Sequence, residues 1–140
     1  MSRRTGRSRS PHSAAAARNP ECPCGLAETY ERCCGRFHRD DAEAPTAEAL
    51  MRSRYSAFVR RDEGYLLRTW HPRTRPAQLG LDAGTRWTGL EILGTTGGSA
   101  FHSTGTVTFR ASFTGGSLHE RSRFERAGGA WTYVDGDFLD

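Results

Sequence analysis

The chain has 140 residues, a length that suits one domain with a small appendage and excludes two full domains, because domains most often have about 100–150 residues. Its residues are 36% hydrophobic and 10% aromatic, enough for a compact core, which excludes global disorder. The longest apolar runs are only a few residues, as at 14–17, whereas a membrane-spanning helix needs roughly 20.

The net charge of +4 comes from one end of the chain. Residues 1–18 contain five Arg and no acid, so the other 122 residues carry fifteen Arg against sixteen acids. We predict a disordered basic tail over 1–18, which could contact RNA or another anionic polymer without sequence specificity. Its Arg residues are followed by Ser, Pro, His and Ala instead of an apolar segment, so we expect a cytoplasmic protein, not a secreted one.

All four cysteines lie within thirteen residues, at Cys22, Cys24, Cys33 and Cys34. Thiols stay reduced in the cytoplasm, so this clustering favours a metal site over a redox or disulfide cluster. Four thiolates form the closed tetrahedral site typical of structural zinc. We therefore expect one structural Zn²⁺ at these cysteines.

The sequence offers two candidates for the fourth metal ligand. Adjacent cysteines such as Cys33 and Cys34 are unusual as joint ligands, and His38 follows four residues later. A site of three cysteines and His38 is the alternative.

The segment Cys22-Pro-Cys-Gly with Tyr30-Glu-Arg-Cys-Cys-Gly resembles the SEC-C motif, a small zinc-binding knuckle also found at the C-terminus of the SecA translocation ATPase. The four cysteine positions match the motif. The usual Gly-Ser-Gly is replaced by Gly25-Leu26-Ala27, which affects the turn and leaves the ligands unchanged. The resemblance implies a zinc knuckle over residues 19–40.

The resemblance continues beyond the knuckle. The strings that begin at Pro45, Tyr65 and Trp131 resemble the YchJ-type family of uncharacterised bacterial SEC-C proteins, over about 120 residues. This resemblance implies that residues 44–140 form a body of the nuclear-transport-factor-2-like, cystatin-like fold. In that α+β fold, helices cover a curled antiparallel sheet shaped like a cone, with a pocket at its mouth.

Two helices are predicted at the start of the body. Thr46 is a good N-cap, and apolar residues recur at helical spacing from Ala47 to about Arg61. Asp62 can cap a second helix that continues through Trp70 and ends before Pro72.

After the helices, apolar and polar residues alternate, which is the pattern of β-strands. Thr88, Leu90 and Ile92 mark a strand, residues 94–99 form a loop, and from Phe101 to Phe113 apolar and polar residues alternate. Gly115-Gly116 and Gly128-Gly129 are hairpin signals, which predict strands at about 117–127 and 130–138.

These hairpins place carboxylates on the core face. With Gly115-Gly116 as the turn, Ala111 is opposite Glu120 and Phe113 is opposite Leu118; with Gly128-Gly129, Asp137 lies beside Glu120 and Asp135 beside Ser122. Three carboxylates on an apolar face would raise the pKa of at least one, as a general acid or base requires. A one-residue bulge would turn both Asp outward. The alternative to a catalytic role is that Glu120 pairs with an Arg such as Arg52 or Arg54.

Glu120, Asp135 and His71 are therefore the catalytic candidates, with His71 and Trp70 or Trp87 at the pocket mouth. They establish no catalytic constellation, so whether the protein is an enzyme stays open. The first hypothesis is a binding or adaptor module whose zinc knuckle contacts a protein, the ribosome or RNA. The alternative is a small-molecule binder, or an isomerase- or dehydratase-like enzyme, that uses the cone pocket.

Overall fold

The computed structural model describes residues 20–140, so the predicted basic tail over 1–18 lies outside the described residues. In chain order the elements are a 3₁₀ turn at Tyr30–Arg32, helices α1 (Cys34–His38), α2 (Ala47–Arg60) and α3 (Glu63–Arg68), and strands β1 (Trp87–Gly97), β2 (Thr104–Phe113), β3 (Gly116–Ala127) and β4 (Ala130–Phe138). Within residues 20–140 no helix is long and apolar enough to cross a membrane.

Helix α2 has the predicted bounds, and both of its ends have a local cause. The Thr46 hydroxyl accepts the Ala49 N–H at 3.0 Å, which satisfies one of the free donors of the first turn. At the other end Arg61 adopts the left-handed conformation, with φ 57°, which terminates the helix.

Helix α3 begins where Asp62 predicts, since its carboxylate accepts the Tyr65 N–H at 3.1 Å. It ends at Arg68, two residues before the predicted end at Trp70. Trp70 instead forms a parallel bridge with Tyr133, and the His71 N–H donates to the Tyr133 carbonyl at 2.7 Å. Pairing with β4 therefore ends the helix before Pro72 can.

The four strands form one antiparallel sheet in the order β1-β2-β3-β4. Val107, Phe109 and Ala111 are buried as their alternation predicts, but Phe101 is 97% exposed. Strand β2 begins only at Thr104, and β1 continues to Gly97 through most of the predicted loop. The prediction that Phe101 belongs to the core face was wrong because Ser99, Ala100 and Phe101 form the turn between the two strands.

The predicted register of the β2–β3 hairpin was wrong by two residues. Phe113 is opposite Gly116 and Ala111 is opposite Leu118, so Glu120 lies opposite Phe109. The turn is therefore formed by Thr114 and Gly115, and Gly115 supplies the positive φ of 101° that the turn needs. A shift of two residues keeps each side chain on its predicted face.

The β3–β4 pairing contains a bulge that overturns the predicted carboxylate cluster. Phe124 lies opposite Tyr133 as predicted, but Arg123 lies opposite Asp135, so Val134 is an extra residue. The extra residue reverses the faces beyond it. Asp135 and Asp137 therefore lie on the outer face, apart from Glu120.

The core lies between α2 and the concave face of the sheet. It comprises buried residues of α2 together with residues of β2, β3 and β4: Ala47, Leu50, Met51, Tyr55, Val107, Phe109, Ala111, Phe124 and Trp131. A second cluster, Phe37, Ala57, Tyr65 and Leu66, joins α1 to α2 and α3. These contacts place the knuckle against α2 and α3.

Candidate functional site: a four-cysteine knuckle and a cavity beside α2

The structure brings the four cysteines together. The sulfur atoms of Cys22, Cys24, Cys33 and Cys34 all lie within 4.8 Å of one another, and all four residues are buried. The sulfur atoms of Cys24 and Cys33 are 3.6 Å apart. A tetrahedral ion with metal–sulfur bonds of about 2.3 Å needs sulfur atoms about 3.8 Å apart, so the group can hold a metal ion.

Backbone hydrogen bonds between residues close in the chain fold the knuckle around the four cysteines. The Cys22 N–H donates to the Glu28 carbonyl at 2.8 Å, and the Gly25 N–H donates back to the Cys22 carbonyl at 3.3 Å. Gly25 has a φ of 95°, which favours glycine. The 3₁₀ turn then brings Cys33 and Cys34 beside the first pair, with the Cys33 N–H bonded to the Tyr30 carbonyl at 3.0 Å.

The clustered thiols change one another's pKa values. Hydrogen bonds from Cys24 and Cys34 lower the pKa of Cys22 well below its usual range. The hydrogen bond to Cys22 raises the pKa of Cys34, and burial raises the pKa of Cys33 to about 12. One thiol of the group thus loses its proton readily, and the others resist deprotonation. A bound cation would offset this resistance, because it stabilises several thiolates together.

Side chains of α2 contact the knuckle at its first two cysteines. Arg52 donates from Nη1 to the Cys24 carbonyl at 2.7 Å and from Nε to Glu48 at 3.0 Å. The Cys22 sulfur lies 3.4 Å from the Ser56 hydroxyl. Arg52, one of the two arginines predicted as possible partners of Glu120, instead contacts the knuckle.

His38 has another position than the alternative ligand set requires. Its Nε2 donates to the Ser53 carbonyl at 2.8 Å, and its Nδ1 lies 2.5 Å from the Tyr30 hydroxyl, from which it accepts. Both ring nitrogens are therefore engaged, and the described metal-binding group contains the four cysteines without His38. The geometry favours the all-cysteine set.

A cavity of about 300 Å³ lies between α2 and the concave face of the sheet. We call it the cone cavity. Its walls are mostly apolar, with Met51 and Phe58 on α2 and Phe109 and Leu118 on the sheet. Phe138, which is 74% exposed, lines it near the end of β4.

Of the three catalytic candidates, only Glu120 lines the cone cavity. It is 8% exposed, and its Oε2 accepts from the Ser122 hydroxyl at 2.8 Å and from the Tyr133 hydroxyl at 3.4 Å. The ion pair that the sequence analysis expected with Arg54 is not formed among the described residues, since no Arg nitrogen lies within 4.0 Å of this carboxylate.

The other two candidates lie elsewhere. Asp135 pairs with Arg123 on the outer face at 2.5 Å. His71 lies outside the cavity wall, with its Nε2 3.8 Å from Glu125 and its Nδ1 accepting the Arg73 N–H at 3.0 Å. The structure thus separates Glu120, Asp135 and His71.

Sequence reasoning missed Arg54 as a cavity residue. Arg54 is 3% exposed, and burial lowers its pKa to about 10, so it stays charged at neutral pH. Its guanidinium lies 5.1 Å from the Trp70 ring and 4.6 Å from the Tyr133 ring. The only available signal was its position on the apolar face of α2, between Met51 and Tyr55.

Comparison with known proteins places both parts in one family. The family model described as YchJ, middle NTF2-like domain, matches residues 46–136. A UPF0225 protein of Streptomyces coelicolor is 76% identical over 121 residues, which are 86% of this chain and 98% of that protein. A UPF0225 protein of Corynebacterium glutamicum is 54% identical over 119 residues, covering 83% and 95% of the two chains.

Solved structures agree with the fold. The solution structure of a SEC-C motif containing protein from Rhodopseudomonas palustris superposes with a TM-score of 0.73 at 36% identity, over 85% of this chain and 98% of that one. The crystal structure of a SEC-C motif containing protein from Psychrobacter arcticus gives 0.65 at 29% identity, over 85% and 80%. Together with the clustered cysteines and the helix-covered sheet, these matches show that the chain belongs to the UPF0225 family of bacterial SEC-C motif proteins with a YchJ-type, nuclear-transport-factor-2-like body.

Proposed function

We propose that the knuckle holds one structural Zn²⁺ through Cys22, Cys24, Cys33 and Cys34. The observation that carries this proposal is the burial of four thiols within 4.8 Å of one another. Thiolates favour soft and borderline metals, and four of them form the closed tetrahedral site of a structural zinc ion. Such an ion would cross-link the knuckle, and with four protein ligands it leaves no coordination position for catalysis.

Native mass spectrometry of the untagged protein under reducing conditions tests this step. We expect the mass of the chain plus one zinc ion, and loss of that ion with a strong chelator. A metal-free chain in zinc-containing buffer, or iron as the only bound metal, would contradict it.

We propose further that the zinc-loaded knuckle is a binding module for an RNA-containing partner such as the ribosome, in the cytoplasm. The ligands are buried, so the exposed side chains of the knuckle are left to contact a partner. Arg32, Arg36 and Arg39 are exposed on its second half, and the five Arg of 1–18 precede it in the chain. Arginine recognises phosphate groups without needing a base sequence.

Co-sedimentation with ribosomes tests this role. We expect binding that weakens as salt rises, weakens on deletion of 1–18, and is lost in Cys33→Ser. Phe101→Ala, a change at an exposed site outside the knuckle, is the control and should bind like the unmodified chain. Unchanged binding in both the deletion and Cys33→Ser would refute the proposal, and binding that survives nuclease digestion would indicate a protein partner instead.

A further inference from the structure

The cone cavity has the volume of a site for a small molecule. Its volume of about 300 Å³ is at the lower end of the range of small-molecule pockets, about 300–1,000 Å³. The walls are mostly apolar, and they include six aromatic side chains: Tyr55, Phe58, Trp70, Trp87, Phe109 and Tyr133. Aromatic rings pack favourably against one another, so the volume and the lining suit a compound with a single ring.

The Glu120 carboxylate is held in this wall by one of its two oxygen atoms. Oε2 accepts from the Ser122 hydroxyl at 2.8 Å and from the Tyr133 hydroxyl at 3.4 Å. Gly136 of β4 lies against the same oxygen, because a Cβ at this position would overlap it. These contacts surround Oε2 and fix the orientation of the carboxylate.

The other oxygen, Oε1, is left for a ligand. It has no hydrogen-bond partner among residues 20–140, although Glu120 is only 8% exposed. In this part of the chain, the only side-chain polar atom that is both closed to water and without a partner is the Trp70 indole nitrogen. Oε1 is therefore open to a water-sized group, and the cone cavity is the space that Glu120 lines. A carboxylate oxygen accepts hydrogen bonds and donates none, so the ligand must supply the donor.

The charges of the wall favour an uncharged ligand. Arg54 lines the same cavity as Glu120, so one positive and one negative charge balance there. A charged ligand would be attracted by one of them and repelled by the other. It would also lose its hydration on entry, which is costly for an ion without a partner.

A phenolic hydroxyl is the uncharged donor that suits this wall. An O–H group bonded to a carboxylate forms one of the stronger hydrogen bonds in proteins, and a phenol stays uncharged at neutral pH because its pKa is about 10. An amide would bring a carbonyl oxygen that needs a donor of its own, whereas the hydroxyls of Ser122 and Tyr133 already donate to Oε2.

We propose that the cone cavity binds an uncharged, single-ring phenol whose hydroxyl donates a hydrogen bond to Oε1 of Glu120. The aromatic walls hold the ring, and the carboxylate orients the hydroxyl. This role needs neither the zinc ion nor the macromolecular partner, so its test is independent of the proposed function.

Four probes with a single ring separate the alternatives. Phenol carries the hydroxyl donor, and toluene replaces it with a methyl group of nearly the same size. Benzoate carries a negative charge and benzylamine a positive one. Each is titrated at neutral pH into the full chain labelled with ¹⁵N, and the backbone amide signals of β2, β3 and β4 are followed by NMR.

We expect phenol to shift these amide signals in a saturable way and to bind about ten- to hundredfold more tightly than toluene, the range that a hydrogen bond to a charged group supplies. Benzoate and benzylamine should bind more weakly than phenol. A preference for phenol over toluene of less than about tenfold, tightest binding of either charged probe, or no saturable shift with any probe would each overturn the proposal.

A variant isolates the acceptor. Glu120→Gln keeps the size of the side chain and removes its charge, and a neutral hydrogen bond has about half the strength of a charged one. The ratio of phenol affinity to toluene affinity should therefore fall about three- to tenfold. Because toluene responds to any change in the shape of the cavity, this ratio reports the hydrogen bond alone.

Glu125→Gln is the matched control on the same strand, because Glu125 lies outside the cone cavity and pairs with Arg73 at 3.2 Å. It should leave the ratio unchanged. A ratio that stays the same in Glu120→Gln, or that falls equally in both variants, would contradict the role of Glu120. If Glu120→Gln does not fold, the four-probe comparison on the unmodified chain still decides.

Discussion

The knuckle and the body bury their side chains for different reasons. In the knuckle the buried cluster consists of the four cysteines with Tyr30 packed against it, so its interior is a group of thiols that could hold a metal ion. The body has nine buried core residues on a helix and three strands, enough to support a fold by hydrophobic burial. The difference teaches that the body is held by hydrophobic burial, whereas the knuckle, with few apolar side chains to bury, is the part of the chain in which a metal ion would contribute most to order.

The largest expected effect is that of a substitution that removes the metal. In Cys33→Ser we expect bound zinc to fall from about one ion per chain to nearly none and the knuckle to lose its order, since structural zinc contributes roughly 10–16 kcal/mol in small zinc domains. Metal analysis and an amide NMR spectrum measure this, with signals of the knuckle lost and those of β2 to β4 retained. Leu26→Ser, an exposed change in the same knuckle, should keep its zinc. Simultaneous loss of all signals in Cys33→Ser would show that the body also depends on the knuckle, against the comparison made above.

The second effect tests the body by itself. Phe124 is 1% exposed within the core, so Phe124→Ala should lower the free energy of unfolding by about 3–5 kcal/mol through lost burial and a cavity. Phe101→Ala is the matched control, because Phe101 is 97% exposed and its loss should change stability by less than about 0.5 kcal/mol. Urea unfolding measures both. Equal midpoints for the two variants would contradict the assigned core.

The third effect tests the position of Glu120 in the wall of the cone cavity. A Cβ at Gly136 would overlap the Glu120 carboxylate. Gly136→Ala would therefore move this buried carboxylate off its hydrogen bonds from Ser122 and Tyr133, and it should destabilise the chain by about 1–3 kcal/mol. Gly89→Ala is the control in another strand, since its Cβ would meet no atom within 4 Å. Thermal unfolding compares them. A Gly136→Ala variant as stable as Gly89→Ala would show that Glu120 does not lie over Gly136.

The smallest effect concerns His38, which joins the two regions. Burial lowers the pKa of His38 below its usual 6.5, so on acidification the unfolded chain takes up this proton before the folded chain does. Its contribution to stability is thus complete above about pH 6.5 and decreases as the pH falls below it. His38→Gln removes this decrease, so the stability difference between the two chains should shrink as the pH falls.

Unfolding at a series of pH values measures this difference, and the response of the metal site to acid cancels because both chains contain it. A difference that does not depend on pH would contradict the burial of a neutral His38.

Several features were predictable because they depend on neighbouring residues. The side chains of Thr46 and Asp62 cap the helices that follow them, as their positions indicated. The alternation through Val107, Phe109 and Ala111 predicted their burial. The clustering of the cysteines in the chain likewise predicted that the four thiols come together, since a short segment can bring all four together.

Other features depend on contacts between distant segments, which a local pattern does not contain. The bulge at Val134 separates Asp135 from Glu120, and no residue type near it in the sequence predicts a bulge. The end of α3 depends on pairing of Trp70 with Tyr133, more than sixty residues later in the chain.

The sequence by itself therefore determined the clustering of the four cysteines, the capped helices and the faces of most strands, because periodicity, capping and the spacing of the cysteines act over a few residues. Only the tertiary structure decided the hairpin registers and the composition of the cone cavity. Arg54 on α2, Trp70 after α3 and Glu120 on β3 become neighbours only when α2 packs on the sheet. The physical reason is that a cavity wall is assembled from elements far apart in the chain, and its chemistry exists only once they pack.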